Sequence, residues 1–275
     1  MEAWLLPVAL LAGFACARGS YGPFRRLLVN GGAVRPNYRG QAIPVGAGML
    51  FFFAVLPPVL AGVVLCPGRL PLERTVAFLF LLALTTLVGV IDDAWGSRAV
   101  SGFKGHFGRL LRGELTTGAL KALAIAAGSL ILFLPGATPG EALLNAAVVA
   151  LTVNAMNLFD LRPGRAGKVF LLAAAILTWA AWGKEELLFL WLVCGALLAF
   201  LPGDLAARAM MGDAGSNSLG AVLGLTVVWG CDVAVRAGVL GGFILLHLLT
   251  ERYSLTEIIA RNRVLNFLDR LGRRD

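Results

Sequence analysis

Charge is scarce in this chain. Asp, Glu, Lys and Arg make up 15% of its 275 residues, against roughly a quarter in soluble proteins. So few charges cannot cover the surface of a water-soluble fold, and that class is excluded. Histidine is nearly missing: His106 and His247 are too few and too scattered to suggest a His-based metal site. The four cysteines, Cys16, Cys66, Cys194 and Cys231, lie in or beside apolar runs without paired spacing. They read as small apolar filler, with a Cys66–Cys231 disulfide as the competing reading because both fall on one side of the membrane. No Ser- or Gly-rich linker and no shift in composition divides the chain.

What the chain has instead is apolar sequence, 58% of it, with a mean hydropathy of +0.81. Runs of about 17–25 apolar residues are long enough to cross the hydrocarbon core as helices. About nine such runs occur, near 3–17, 43–65, 75–91, 115–134, 141–158, 168–183, 187–202, 216–231 and 237–250. The expected fold is therefore an all-α, polytopic membrane helical bundle of about nine spans. The first run competes with a signal peptide, but it has no basic leader and no small-x-small cleavage site before Arg18, so it reads as a retained span.

Lys and Arg set the orientation. With the N-terminus outside, nineteen of the 24 fall in loops or tail on the cytoplasmic side and four (Arg69, Arg74, Lys184, Arg236) outside, while Lys121 lies within a run. That predicts N-out, C-in. The net charge of +8 then describes an inner face that meets anionic lipid and anionic substrates, not a nucleic-acid-binding surface. Two regions follow: a transmembrane domain over 1–250 and a cytoplasmic tail over 251–275. In the tail, Leu255, Ile258, Ile259, Leu265, Leu268 and Leu271 alternate with arginines at roughly helical spacing, which predicts a basic amphipathic helix on the inner leaflet or a plain anchoring segment.

Carboxylates at the ends of membrane helices suggest function by default. Asp92 and Asp93 end the third run, Asp160 ends the fifth and Asp213 opens the eighth. The orientation, assigned without reference to them, puts all four on the cytoplasmic side. Asn154 and Asn157 stand i, i+3 on one helix face and Asp160 continues it. Amide and carboxylate oxygens from different helix ends could hold Mg²⁺, which takes few protein oxygens plus water and substrate phosphates. The Gly212-Asp213-Ala214-Gly215-Ser216 turn opens a helix whose N–H groups could cradle a phosphate, and Lys121 could neutralise a phosphate oxygen. Each feature also has a plainer reading: an interfacial stop, a snorkelling lysine, interhelical amide bonds, a packing turn.

At these residues the chain resembles the polyprenyl-phosphate N-acetylhexosamine-1-phosphate transferases. This family includes phospho-N-acetylmuramoyl-pentapeptide transferase and the undecaprenyl-phosphate GlcNAc-1-phosphate transferases. Arg35-Pro-Asn-Tyr-Arg39-Gly40 with Gly46-Ala-Gly48, Gly89-Val-Ile-Asp92-Asp93, Asn154-Ala-Met-Asn157-Leu-Phe-Asp160 and Met211-Gly212-Asp213-Ala-Gly215-Ser216 match four family blocks in order. The resemblance implies a Mg²⁺-dependent membrane phosphotransferase of the bacterial inner membrane. A UDP-sugar would give its sugar-1-phosphate to undecaprenyl phosphate on the cytoplasmic face, in cell-wall or surface-glycan synthesis, with a homodimer allowed. It implies Asp213 and Asn157 as metal ligands. Asp92, Asp93, Lys121 and Asp160 would be catalytic, and Arg39 and Asn154 would be substrate contacts. The chain also departs from the pattern. Pro163 replaces a second aspartate tied to nucleotide recognition, Met210-Met211 offers no aromatic for a uracil, and a late His-x-His-His-type loop is missing. Three readings remain: a transferase in which Arg162, Arg165 and Lys168 take over the donor diphosphate, a degenerate relative that binds lipid phosphate or nucleotide as a regulator or scaffold, and an unrelated transporter or structural protein.

Overall fold

The computed structural model describes residues 2–66, 68, 70–96, 105 and 108–273. Among them are eleven α-helices: α1 (Leu5–Asn30), α2 (Met49–Leu65), α3 (Leu72–Trp95), α4 (Thr117–Phe133), α5 (Pro139–Phe159), α6 (Arg165–Ala180), α7 (Leu187–Leu205), α8 (Gly212–Gly230), α9 (Val233–Thr250), α10 (Leu255–Arg261) and α11 (Arg263–Arg270). Each expected apolar run coincides with one helix from α1 to α9. Six are long and apolar enough to cross a membrane: α1, α3, α4 with its following turn, α5, α7 and α9. Among the rest, α2 is apolar but shorter, α6 begins with Arg165 and Lys168, and α8 carries Asp213, Ser216, Asn217 and Ser218 in its first two turns. Of the residues used to judge orientation or metal sites, Arg69, Arg98, Lys104, His106 and Arg274 lie outside the described residues.

The bundle is organised around α8, whose side chains are buried from Ala214 to Val228. Lipid tails are as apolar as leucine, so helices in a membrane associate through close packing of small residues. That is what α8 supplies. A Cβ on Gly220 or Gly224 would run into the backbone of Val153 or Val149 on α5, and one on Gly215 would meet Gly48 at the start of α2. Gly89 of α3 sits against the Asp213–Ala214 backbone in the same way. Elsewhere Gly13 of α1 and Gly195 of α7 bring those two helices into backbone contact.

One element departs from an all-helical expectation. Strands β1 (Val34–Pro36) and β2 (Ala42–Pro44) form an antiparallel hairpin with Arg35 opposite Ile43. Its turn is shaped by Asn37, whose Oδ1 accepts the backbone N–H groups of Arg39 and Gln41, a local side-chain device independent of periodicity. Beyond β2 the chain pairs with the segment leading into α8: Met210 N–H donates to Pro44, Ala47 N–H to Met210 and Gly48 N–H to Met211. The tail is also not one helix. Asn262 breaks it by capping α11 through Val264 and Leu265 N–H. All four cysteines are free thiols.

Candidate active site

Four helices converge at the N-terminus of α8. Gly89 lies one helical turn before Asp93, so its missing side chain is what lets α3 bring that aspartate onto α8. Asp93 Oδ1 accepts the backbone N–H of Asp213 at 2.9 Å and Oδ2 that of Ala214 at 3.1 Å. Gly212, at φ 71°, takes a left-handed turn that only glycine adopts without strain, and a side chain there would strike the Asp93 carboxylate. The Gly-x-x-Asp-Asp and Gly-Asp-x-Gly blocks thus fit one another physically.

This corrects the expectation that the start of α8 is open to a phosphate. Two of its first N–H groups, those of Asp213 and Ala214, are already taken by the Asp93 carboxylate. A helix end inside a bundle has no water to satisfy its orphan donors, so side chains must do it. In this arrangement Asp93 positions α8.

The remaining groups form a charge cluster beside it. Lys121, in the second turn of α4, places Nζ 3.0 Å from Asp92 Oδ2 and 2.5 Å from Asp213 Oδ2. The helix is started by Thr116, whose hydroxyl accepts Ala119 N–H, and the Thr117 hydroxyl adds a hydrogen bond to Asp92. Asn157 on α5 donates Nδ2 to Asp213 Oδ2 at 2.7 Å. The two carboxylates approach closely enough to repel strongly without the lysine between them, and its side chain is only 13% exposed, where water screens little. Asn217, one turn along α8 from Asp213, faces Asn157 at 3.4 Å. It is fully buried and its own Nδ2 lacks a partner.

Among the described residues no group of three His, Cys, Asp or Glu side chains forms a ready metal cage. Mg²⁺ does not require one, because one or two carboxylates with substrate phosphates and water suffice. Asp92, Asp213 and the Asn157 amide oxygen are hard donors of that kind. The assigned amide orientation points nitrogen at Asp213, and the reversed orientation would present oxygen. The donor set fits Mg²⁺, with the Lys121 ammonium now holding the cationic place between the carboxylates.

Other expected residues lie elsewhere. Asn154 is exposed; of the amide pair, Asn157 is the one that bonds to Asp213. Arg39 sits on the hairpin turn, its guanidinium 5.0 Å from the Tyr38 ring, and Arg162 lies over the same ring at 5.4 Å. Arg165 and Lys168, expected on a donor diphosphate, bond to the tail. Arg165 Nε and Nη2 reach Asp269 at 2.7 and 3.0 Å. Lys168 Nζ caps the C-terminus of α11 through the Leu268, Asp269 and Leu271 carbonyls. Arg273 adds bonds to Asp269 and to the Pro163 carbonyl. Burial alone would raise the Asp269 carboxyl, but hydrogen bonds and charge from Arg165 and Arg273 outweigh it and hold the group below its ordinary value.

Sequence reasoning missed three of these residues. Asn217 could have been found, since i+4 from Asp213 shares its face. Asp204, buried in α7 and accepting Gly164 N–H at 2.8 Å, is a carboxylate in an apolar run and so carried the same signal as Asp92. Asp269 carried no signal, because its partner is 104 residues away.

Residues 75–231 match the family model described as glycosyl transferase family 4. That stretch runs from α3 through α8 and contains Asp92, Lys121, Asn157 and Asp213. Comparison with curated proteins gave no match. Covering more than half of the chain and every helix that contributes to the charge cluster, the match makes this protein a member of glycosyl transferase family 4, the family of phosphosugar transferases that act on polyprenyl phosphate.

Proposed function

We infer that the chain transfers the sugar-1-phosphate of a UDP-sugar to undecaprenyl phosphate at the cytoplasmic face of a bacterial inner membrane, with Mg²⁺, in cell-wall or surface-glycan synthesis. Nine spans with the N-terminus outside fit this reading, since that orientation puts nineteen of 24 Lys and Arg residues and the whole acidic cluster on the cytoplasmic side. The observation that carries the reading is Lys121 held between Asp92 and Asp213, with Asn157 on Asp213.

The chemistry asks for such a cluster. An oxygen of the lipid phosphate attacks the phosphorus that bears the sugar. A new P–O bond forms, the P–O bond to the bridging oxygen breaks, and its electron pair leaves with UMP. Both reactants are anions, so the barrier is lowered by cationic groups placed where the transferring oxygens sit. Lys121 is such a group, kept charged and oriented by its two carboxylates. Asp92, Asp213 and Asn157 would hold Mg²⁺, which when bound neutralises charge on phosphate oxygens. Asp93 keeps the start of α8, and with it Asp213, in place.

The test is UMP release from membranes given Mg²⁺, undecaprenyl phosphate and a panel of UDP-sugars. Release that exceeds an Asp213→Ala control and stops with EDTA is the expected result. Equal traces for wild type and control with every donor would end the catalytic reading and leave that of a binding relative without turnover.

A further inference from the structure

A groove of about 310 Å³ runs between α1 and α7, within the size range of ligand pockets. Phe14, Leu198 and Pro202 give it an apolar wall, Arg18 and Arg208 make it basic, and Tyr21 lines it as well. None of its residues lies on α3, α4, α5 or α8, the helices that carry the charge cluster. Arg208 stands two residues before Met210, in the segment that leads into α8, so the basic mouth opens at the same end of the bundle as that cluster.

The polarity of the groove is written along one face of α1. Leu11, Phe14, Arg18, Tyr21 and Arg25 recur at intervals of three and four residues, a single helical stripe that begins apolar and ends basic. Leu11 is 63% exposed and Phe14 38%. The stripe covers about 21 Å of helix, longer than the roughly 15 Å of hydrocarbon in one leaflet. An amphiphile lying along it meets apolar side chains with its tails and guanidinium groups with its head. The wall is fixed in place. The Tyr21 ring stands edge-on to Phe200 at 6.0 Å and lies over Gly203, where a Cβ would strike its hydroxyl. That hydroxyl is buried and has no hydrogen-bond partner among the described residues. Arg25 Nε donates to the Arg208 carbonyl at 3.4 Å, which ties α1 to the segment ahead of α8. Among the described residues Arg18, Arg25 and Arg208 have no carboxylate partner, and Asp204, next to Gly203, accepts the Gly164 N–H instead. Three unpaired positive charges therefore stand at the mouth, and guanidinium forks match phosphate oxygens.

We propose that this groove holds an anionic phospholipid of the surrounding membrane, its phosphate between Arg18 and Arg208 and its chains along Phe14 and Leu198. The lipid is a structural partner and not a reactant, because the groove shares no helix with the charge cluster. The proposal does not rest on the transferase reading. Bound there, the phosphate bridges α1 and the Arg208 segment, and so ties an outer helix to the chain that leads into α8 and Asp213.

The experiment is native mass spectrometry of the full chain in a non-ionic detergent, titrated with phosphatidylglycerol or with phosphatidylcholine of the same chains. Wild type should retain one phosphatidylglycerol in preference to phosphatidylcholine, and glycerol phosphate, a headgroup without chains, should not displace it. Arg18→Gln with Arg208→Gln should weaken retention roughly tenfold or more. Both side chains are exposed, so this variant should melt like wild type in detergent alone. Phe14→Ser should weaken retention without a change of charge. Arg26→Gln, on the same helix but outside the groove, should leave it unchanged. Equal retention of the two lipids would overturn the proposal. So would a loss in Arg26→Gln as large as in the double variant, because the attraction would then belong to the whole basic surface. Displacement of phosphatidylglycerol by undecaprenyl phosphate, one for one, would also overturn it and make the groove an acceptor site. Retention is read without turnover, so absent UMP release would remove the catalytic reading and leave the lipid site standing.

Discussion

Asp93 and Asp213 are 120 residues apart, yet the carboxylate of the first accepts the backbone N–H of the second. The contact makes Asp93 the cap of α8 from another helix. Replacing a capping carboxylate with alanine costs about 1 kcal/mol, up to about 2. Asp93→Ala should therefore lower the melting temperature in detergent and reduce UMP release, while Asp93→Asn, which keeps one acceptor oxygen, should melt closer to wild type. A variant that melts normally but has lost activity would instead put Asp93 in the chemistry.

Lys121 makes the opposite prediction. Lys121→Gln removes the positive charge between Asp92 and Asp213 and should cut UMP release by about 10²–10³-fold, as loss of one preorganised electrostatic group does. Initial rates in the same membranes test this. A variant within a few-fold of wild type would show that the lysine only satisfies its carboxylates.

The glycine contacts predict an asymmetry. Gly89→Ala pushes a methyl into the Asp213–Ala214 backbone and should destabilise by about 1–3 kcal/mol through overpacking, with activity falling in step. Gly19→Ala in α1 meets nothing within 4 Å and should be neutral or slightly stabilising, because alanine favours a helix. Thermal melting of the two variants side by side distinguishes them.

Asp269 gives the tail a pH signature. Its carboxyl is held below the ordinary 3.8 by Arg165 and Arg273, so the charged form favours the docked tail. That contribution is complete above the ordinary value and is lost as the pH falls through the lower, docked one. Pepsin digestion should leave Phe267–Leu268 protected near pH 5 and expose it as the pH drops below about 3.8. Asp269→Asn leaves Arg165 without its counter-charge, a loss of about 3 kcal/mol for a buried pair, and should be cut already at pH 5. Identical digestion of the two proteins across that range would refute the docked tail.

These results also show which parts of the molecule can be read from the chain. Helices α1 to α9 were legible because each contains an apolar run, six of them long enough to cross a membrane, and Asp92, Asn157, Asp213 and Lys121 stood out against that background. The hairpin was not, since it depends on the Asn37 side chain and on pairing with Met210 and Met211 across the fold. Arg165 and Lys168, expected at a phosphate, bond to the tail in the structure. A basic residue near an expected phosphate looks the same in sequence whether it binds that phosphate or a carboxylate and carbonyls about a hundred residues away.

The burial of α8 has a consequence for how the protein can vary. Its neighbours fill nearly every direction around it, and at Gly215, Gly220 and Gly224 there is no room even for a methyl. Substitutions there must disturb several helices together. The hairpin turn, the loop after Asp160 and the tail instead meet through long side chains at an open rim, where one residue can change without moving a helix. Substitution is therefore easier at the periphery, while the centre stays locked by its own lack of space.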